Sequence, residues 1–261
     1  MPQPRVQLFI TCIVDSLFPH VGEAVVDVLE RLGVEVEFPE AQTCCGQPGY
    51  NAGFRDEARE LALKFFDVFD PHPLPLSLKG RGAGGEGSDV PYIVTPSGSC
   101  AAMLVHGYPD LFADDPPNLA RAQALAARTC EFSQFLVDVL KVEDVGAEFN
   151  GSITYHPSCH LSRGLGVKDA PLKLLAYVRG ADYTPLPSAD ECCGFGGLFA
   201  IKHGDISGAI LDKKLENIHA SKANTVVGCD MSCLMHIQGA LSRDGSRTRC
   251  VHLAEVLATD E

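Results

Sequence analysis

The chain has 261 residues, 46% of them hydrophobic and 21% charged, which is enough apolar material for one large core or two small ones and too much for a largely disordered protein. Acidic residues number 34 against 21 basic ones, and the resulting net charge of −13 repels nucleic acid and anionic membrane surfaces. No apolar run approaches the roughly 20 residues of a membrane-spanning helix, and the opening residues lack the pattern of a secretory signal, so a cytoplasmic protein is expected.

Along the chain, residues 6–10 form a β-rich run ending at Cys12. A helical pattern follows over 22–32, then a second strand-like run over 34–38 that leads to Cys44-Cys45-Gly46. A helix is predicted over 56–69, a third strand over 91–95 just before Cys100, and a further helix over 117–128. Between them, residues 71–88 carry three prolines followed by five glycines and read as an exposed insertion without helix or strand. The same succession then returns. A strand over 152–155 precedes Cys159, a helix covers 171–179, and a strand over 183–186 leads to Cys192-Cys193-Gly194. A helix over 206–221, a strand over 225–228 ahead of Cys233 and a helix over 234–242 complete it. Alternating strands and helices predict an α/β fold of two pseudo-symmetric repeats, 1–148 and 149–261, each a small parallel sheet flanked by helices.

Eleven cysteines punctuate this pattern, an odd number that argues against a disulfide framework in a reducing compartment. Cys12 precedes the first adjacent pair by 32 positions and Cys159 the second by 33. Cys100 follows the first pair after 55 positions and Cys233 the second after 40, and the insertion accounts for the excess. Gly46 and Gly49 match Gly194 and Gly197, while Ser97-Gly-Ser-Cys100 matches Asp230-Met-Ser-Cys233. Every repeated cysteine falls at the carboxyl end of a predicted strand or in the first turn of the next helix, the edge at which open α/β sheets form ligand crevices. Four thiols at one place suit tetrahedral zinc or an iron–sulfur cluster. Two adjacent cysteines reach a multi-iron core more readily than a single ion, and the glycine behind them lets backbone approach and offers an amide to sulfur. On the residues alone, a cluster, zinc or thiol redox chemistry, and plain packing all stay open.

The segments Pro96-Ser-Gly-Ser-Cys-Ala-Ala-Met103, His156-Pro-Ser-Cys-His160, Glu191-Cys-Cys-Gly-Phe-Gly-Gly197 and Asp230-Met-Ser-Cys-Leu-Met-His-Ile237 narrow the choice. Together with the duplicated Cys…Cys-Cys-Gly…Cys spacing, they resemble the cysteine-rich CCG domain of iron–sulfur proteins such as heterodisulfide reductase and the glycolate oxidase iron–sulfur subunit. The short, two-repeat lactate-utilization branch is the most similar, and the resemblance covers the chain apart from 71–88. It implies an iron–sulfur electron-transfer subunit of a cytosolic complex that oxidises L-lactate to pyruvate, a component of an oxidoreductase rather than an enzyme by itself. The implied partners are a ferredoxin-like iron–sulfur subunit and a third small subunit. Cys12, Cys44, Cys45 and Cys100 would serve one site and Cys159, Cys192, Cys193 and Cys233 the other. They would hold one or two [4Fe–4S] clusters, cubane or noncubane, with zinc as a substitute in an aerobic preparation. Where the full motif has a further cysteine, this chain has Ser97 and Asp230, which brings noncubane geometry into question and makes their oxygens alternative ligands. Competing readings are a subunit for another 2-hydroxy acid such as glycolate, a thiol–disulfide oxidoreductase using the adjacent pairs, and a zinc-stabilised scaffold.

Other residues make smaller claims. Cys229 reads as a small buried residue, and Cys130 and Cys250 as core packing at matched strand positions. His156 and His160 flank Cys159 and are candidates for a hydrogen bond to the site or a substrate contact, whereas His106 and His236 follow their cysteines at unmatched distances. Arg163 is the one candidate for a substrate carboxylate near the site, and Gly194-Phe-Gly-Gly197 lacks the context of a nucleotide-binding loop.

Overall fold

A computed structural model describes residues 4–70 and 90–259 of the protein; the 71–88 insertion lies outside the described residues. Each half builds one four-stranded, wholly parallel sheet. In the first, β1 (Arg5–Leu8), β2 (Glu35–Glu37), β3 (Tyr92–Thr95) and β4 (Thr129–Glu131) run in the order β2-β1-β3-β4. In the second, β5 (Glu148–His156), β6 (Arg179–Tyr183), β7 (Thr225–Gly228) and β8 (Arg249–His252) run in the order β6-β5-β7-β8, the same arrangement. Parallel neighbours cannot be joined by hairpins, so helices carry each crossover and cover the sheet faces. The repeats match to the residue in places: Val94 pairs with Cys130 and Val226 with Cys250.

One strand sits differently from its expected position. The apolar end of 183–186 pointed to a strand there, but β6 occupies Arg179–Tyr183, a largely exposed edge strand. Leu186, which carried the apolar signal, is buried in the connection that follows. Edge strands need little apolar character, so periodicity located the buried connection instead.

The main core is continuous across both halves, running from Val6, Leu8, Val25 and Leu29 to Val226, Val227, Leu234 and Leu257. A second, aromatic cluster of Phe9, Phe65, Phe66, Phe69, Tyr108 and Phe112 belongs to the first half alone. Helix Pro19–Arg31 buries Val21, Ala24, Val25, Val28 and Leu29, spaced three and four apart on one face. It packs against the C-terminal helix Leu253–Ala258, and in the mirror arrangement the segment after β4 packs against helix Ala170–Ala176. The halves thus clasp each other, and Arg31 secures one clasp by donating to the carbonyls of Leu257 (3.1 Å) and Ala258 (2.7 Å). Among the described residues no helix is long and apolar enough to cross a membrane.

Candidate metal centre

The parallel sheets deliver the repeated cysteines to one edge. Cys12 opens helix Cys12–Leu17 just beyond β1, Cys100 lies in helix Gly98–Ala102 after β3, and Cys233 in the first turn of Met231–Arg243 after β7. Cys159 follows β5 and immediately precedes the helical turn His160–Gly164. The adjacent pairs stand in the connections after β2 and β6. Each is closed by a glycine in the left-handed region, Gly46 at φ +83° and Gly194 at φ +86°. The clasp then brings the two edges face to face, so that all eight cysteines line a single cavity of about 820 Å³, open mouth included. Sequence reasoning expected a separate nest in each half; the common cavity is a product of the packing between halves.

Within each set the sulfurs touch. Cys12 Sγ lies 3.7 Å from Cys44 Sγ and Cys45 Sγ 3.2 Å from Cys100 Sγ; in the second set Cys193 Sγ lies 2.9 Å from Cys233 Sγ. The glycine amides close the turns onto sulfur, Gly46 N–H donating to Cys44 Sγ at 3.4 Å and Gly194 N–H to Cys192 Sγ at 3.3 Å. Hydrogen bonds from Cys12 and then Cys45 hold the Cys44 thiol far below its usual range, and those from Cys159 and Cys193 do the same for Cys192. Their donors move the other way: Cys12 is raised by its bond to Cys44, Cys159 by its bond to Cys192, and the buried Cys45 and Cys193 likewise. Four thiolates gathered at either set would repel one another unless a cationic core offset their charge, as zinc or an iron–sulfur cluster does.

Two buried polar side chains point the same way. Among the described residues neither ring nitrogen of His156 has a hydrogen-bond partner, and its ring lies with Cys193 and Cys233 in a group whose ligand atoms are all within 4.8 Å of one another. Burial pushes its pKa down to about 3, so the imidazole is neutral near pH 7. Ser158 Oγ is also buried without a partner among the described residues, and its residue lines the cavity. Unsatisfied buried groups cost about 1–3 kcal/mol each, and a group seated among these cysteines would offset that cost. The donor set fits such a group.

The cysteine-rich CCG domain family matches residues 6–105 and 153–238. The chain belongs to this family. Lactate utilization protein A of Geobacillus kaustophilus is 50% identical over 253 residues, covering 97% of this chain and 98% of that protein. The protein of the same name from Anoxybacillus flavithermus is 48% identical over 253 residues, with 97% and 98% covered. That from Exiguobacterium sp. is 47% identical over 254 residues, with 97% of each covered.

In this CCG chain, Ser97 and Asp230 have become helix caps. Ser97 Oγ accepts from Cys100 N–H at 3.2 Å, and Asp230 accepts from the amide (3.1 Å) and hydroxyl of Ser232. The two also meet across the halves, where Ser97 Oγ donates to Asp230 Oδ2 at 3.1 Å and Ser99 N–H to the same oxygen at 2.9 Å. Cys229 is fully buried with its sulfur 3.6 Å from Tyr155 Oη, and burial pushes both Cys130 and Cys250 up to about 12. His160 lines the cavity with Nδ1 3.7 Å from Cys159 Sγ. His106 contacts the Gly164 carbonyl and His236 the Ser207 hydroxyl. Arg163 donates to the Asp190 carbonyl at 3.4 Å.

Three buried polar residues escaped sequence reading because partners distant in the chain bury them. Lys214 donates to the carbonyls of Ser188 (3.4 Å) and Ala189 (3.1 Å) beside the second pair, and His252 contacts the Pro96 carbonyl at 3.1 Å. Glu131 is the third. Its Oε2 accepts from Ser133 N–H (2.9 Å), the Ser133 hydroxyl and Gln134 N–H (3.3 Å), while Oε1 has no partner among the described residues. Burial pushes this carboxyl from 4.5 up to about 7. An acid raised on folding contributes fully below its unfolded value, and that contribution is lost as pH rises through the folded one. Glu131→Gln keeps an acceptor for the cap and removes the titration. The variant is expected to gain about 3 kcal/mol on the native protein between pH 4.5 and 7. Denaturant unfolding across that range measures it, and a difference independent of pH would show that Glu131 ionises without penalty.

Proposed function

We propose that the chain is the iron–sulfur subunit of a cytoplasmic system that oxidises L-lactate to pyruvate. Cys12, Cys44, Cys45 and Cys100 would hold one [4Fe–4S] cluster, and Cys159, Cys192, Cys193 and Cys233 a second. The single observation that carries this reading is the convergence of two matched sets of four free thiols on one cavity. The names of the relatives support lactate as the substrate. When bound, a cluster at each set supplies one-electron transfer, so two sets match the two electrons a 2-hydroxy acid gives up on becoming a 2-oxo acid.

The chain's own residues define the setting. Cys45, Cys100, Cys193 and Cys233 are buried and Cys44, Cys159 and Cys192 half-buried, with Cys12 exposed, so each set is reached from the cavity side. Ile13, Pro48, Phe195 and Met231 line the cavity among the sulfurs. The amides of Gly46 and Gly194 donate toward sulfur and favour the charged form. Four ligands per set, with Ser97 and Asp230 engaged as caps, favour an ordinary cubane complement. A ferredoxin-like iron–sulfur subunit and a third small subunit would complete the system. The reducing cytoplasm is the compartment in which eleven free cysteines persist.

Anaerobic preparation with iron and acid-labile sulfide analysis tests the assignment. The expected protein is coloured, bleaches on reduction and carries four iron and four sulfide per set. Cys45→Ser or Cys193→Ser should each remove about half of the iron. A colourless protein that binds zinc alone would overturn the reading, as would an oxidised form with a Cys44–Cys45 or Cys192–Cys193 disulfide and no metal.

A further inference from the structure

The two cysteine sets are equivalent in spacing but not in what stands beside them. Three positions before Cys12 is Phe9, whose ring packs edge-on against Phe65 and Phe69 at 5.0 and 5.6 Å between centroids. Three positions before Cys159 is His156, the last residue of β5, only 2% exposed and with neither ring nitrogen partnered among the described residues. A neutral imidazole carries one N–H, and this ring faces Cys193 and Cys233 within 4.8 Å. Lys214, buried beside the same pair, adds positive potential at Cys192 and Cys193. At this position the half with the histidine thus offers its sulfurs an N–H donor where the other half offers a hydrocarbon ring; the first half's buried hydroxyl, Tyr108, packs in the cluster of Cys45 and Cys100 from the helix after Cys100 instead.

We propose that His156 donates a hydrogen bond to sulfur of the group held by Cys159, Cys192, Cys193 and Cys233, and that this makes the second-half site the more easily reduced of the two. The proposal rests on the iron–sulfur reading above. One-electron reduction adds one negative charge to a site; the N–H stabilises that charge, the proton stays on nitrogen, and no bond forms or breaks. With such a group held at each set, an electron delivered to the first-half site would pass downhill, oxidising that site and reducing the second. Hydrogen bonds to sulfur and nearby charge are established determinants of cluster potential.

The test is an anaerobic, EPR-monitored redox titration of the iron-loaded full chain with dithionite, with iron content measured on the same samples. Two one-electron steps are expected. His156→Phe, which copies Phe9, should weaken the upper step about tenfold in its reduction equilibrium, which is 59 mV for a one-electron couple, and leave the lower step in place. His156→Gln, which keeps an N–H donor, should recover part of the shift. A fully loaded His156→Phe protein with an unshifted upper step overturns the proposal and leaves the iron–sulfur reading standing; a wild-type chain that binds no iron overturns both. An independent readout needs no variant at His156. Selective ¹⁵N-histidine labelling should give a weak nitrogen coupling to the second-half signal that survives His160→Gln. Its absence, or a coupling strong enough for direct ligation, overturns the donor role.

Discussion

Asp230→Ala should destabilise the protein by about 3–5 kcal/mol, the range for dismantling a buried, charge-bearing hydrogen-bond network. Asp230 is 3% exposed and its two carboxyl oxygens accept four donors from both halves: the amide and hydroxyl of Ser232, the Ser97 hydroxyl and the Ser99 amide. Alanine removes the cap of helix Met231–Arg243, worth about 1 kcal/mol, and strands the Ser99 amide at a further ~1–3 kcal/mol, while the Ser97 hydroxyl is left with the Ser99 hydroxyl at 3.0 Å. Ser97→Ala loses one cap and one bond and should cost about 1–2 kcal/mol. Because the two side chains contact each other, the double variant should be less destabilised than the sum of the singles. Urea unfolding of the four proteins at one pH closes the cycle. An Asp230→Ala cost below about 1 kcal/mol would mean that the seam between halves does not depend on this residue. The shared cap also ties the two halves together beside the cysteines.

What could be read from the sequence was whatever is local or repeats. Five of the six strands read from β-rich runs sit close to where they were placed, the central β1, β3, β5 and β7 because parallel strands buried on both faces show as apolar runs. The exception, β6, is an exposed edge whose residues carry no such mark. The eight repeated cysteines were legible for a different reason: strand-to-helix connectivity alone sends them to one sheet edge. The meeting of the two edges was not legible. It depends on contacts between residues far apart in the chain, such as Arg31 with Leu257 and Ala258, and His252 with Pro96. The burial of Glu131 and Lys214 follows from the same long-range packing and leaves no mark in the sequence, whereas His156 shows there as a candidate hydrogen-bonding residue beside Cys159. Spacing found the thiols; packing decided which polar groups face them.

The two Cys-Cys-Gly turns look interchangeable in sequence, yet Gly194→Ala should cost about 3–5 kcal/mol where Gly46→Ala costs about 1–2 kcal/mol. Both glycines adopt a left-handed backbone, at φ +86° and +83°, and any L side chain there is strained by about 1–2 kcal/mol. The difference lies in the neighbouring helix. A Cβ at Gly46 would meet the Ala58 carbonyl at 3.5 Å, an ordinary contact. A Cβ at Gly194 would lie 2.6 Å from the Ser207 carbonyl and 3.3 Å from Ile210 Cβ. The first of these is backbone in helix Gly204–Ser221, which cannot yield as a flexible side chain would, and overpacking of that kind adds about 1–3 kcal/mol. The same shift would disturb two bonds that fix the turn, Ser207 Oγ to the Gly194 carbonyl at 2.8 Å and Gly194 N–H to Cys192 Sγ at 3.3 Å. Gly194→Ala should therefore lose metal from the second set while Gly46→Ala retains both. Urea midpoints report the stability difference. Iron content in the background of Cys45→Ser or Cys193→Ser reports which set is emptied. Equal costs for the two alanines, or loss from the first set instead, would show that the turns are as alike in packing as they are in sequence.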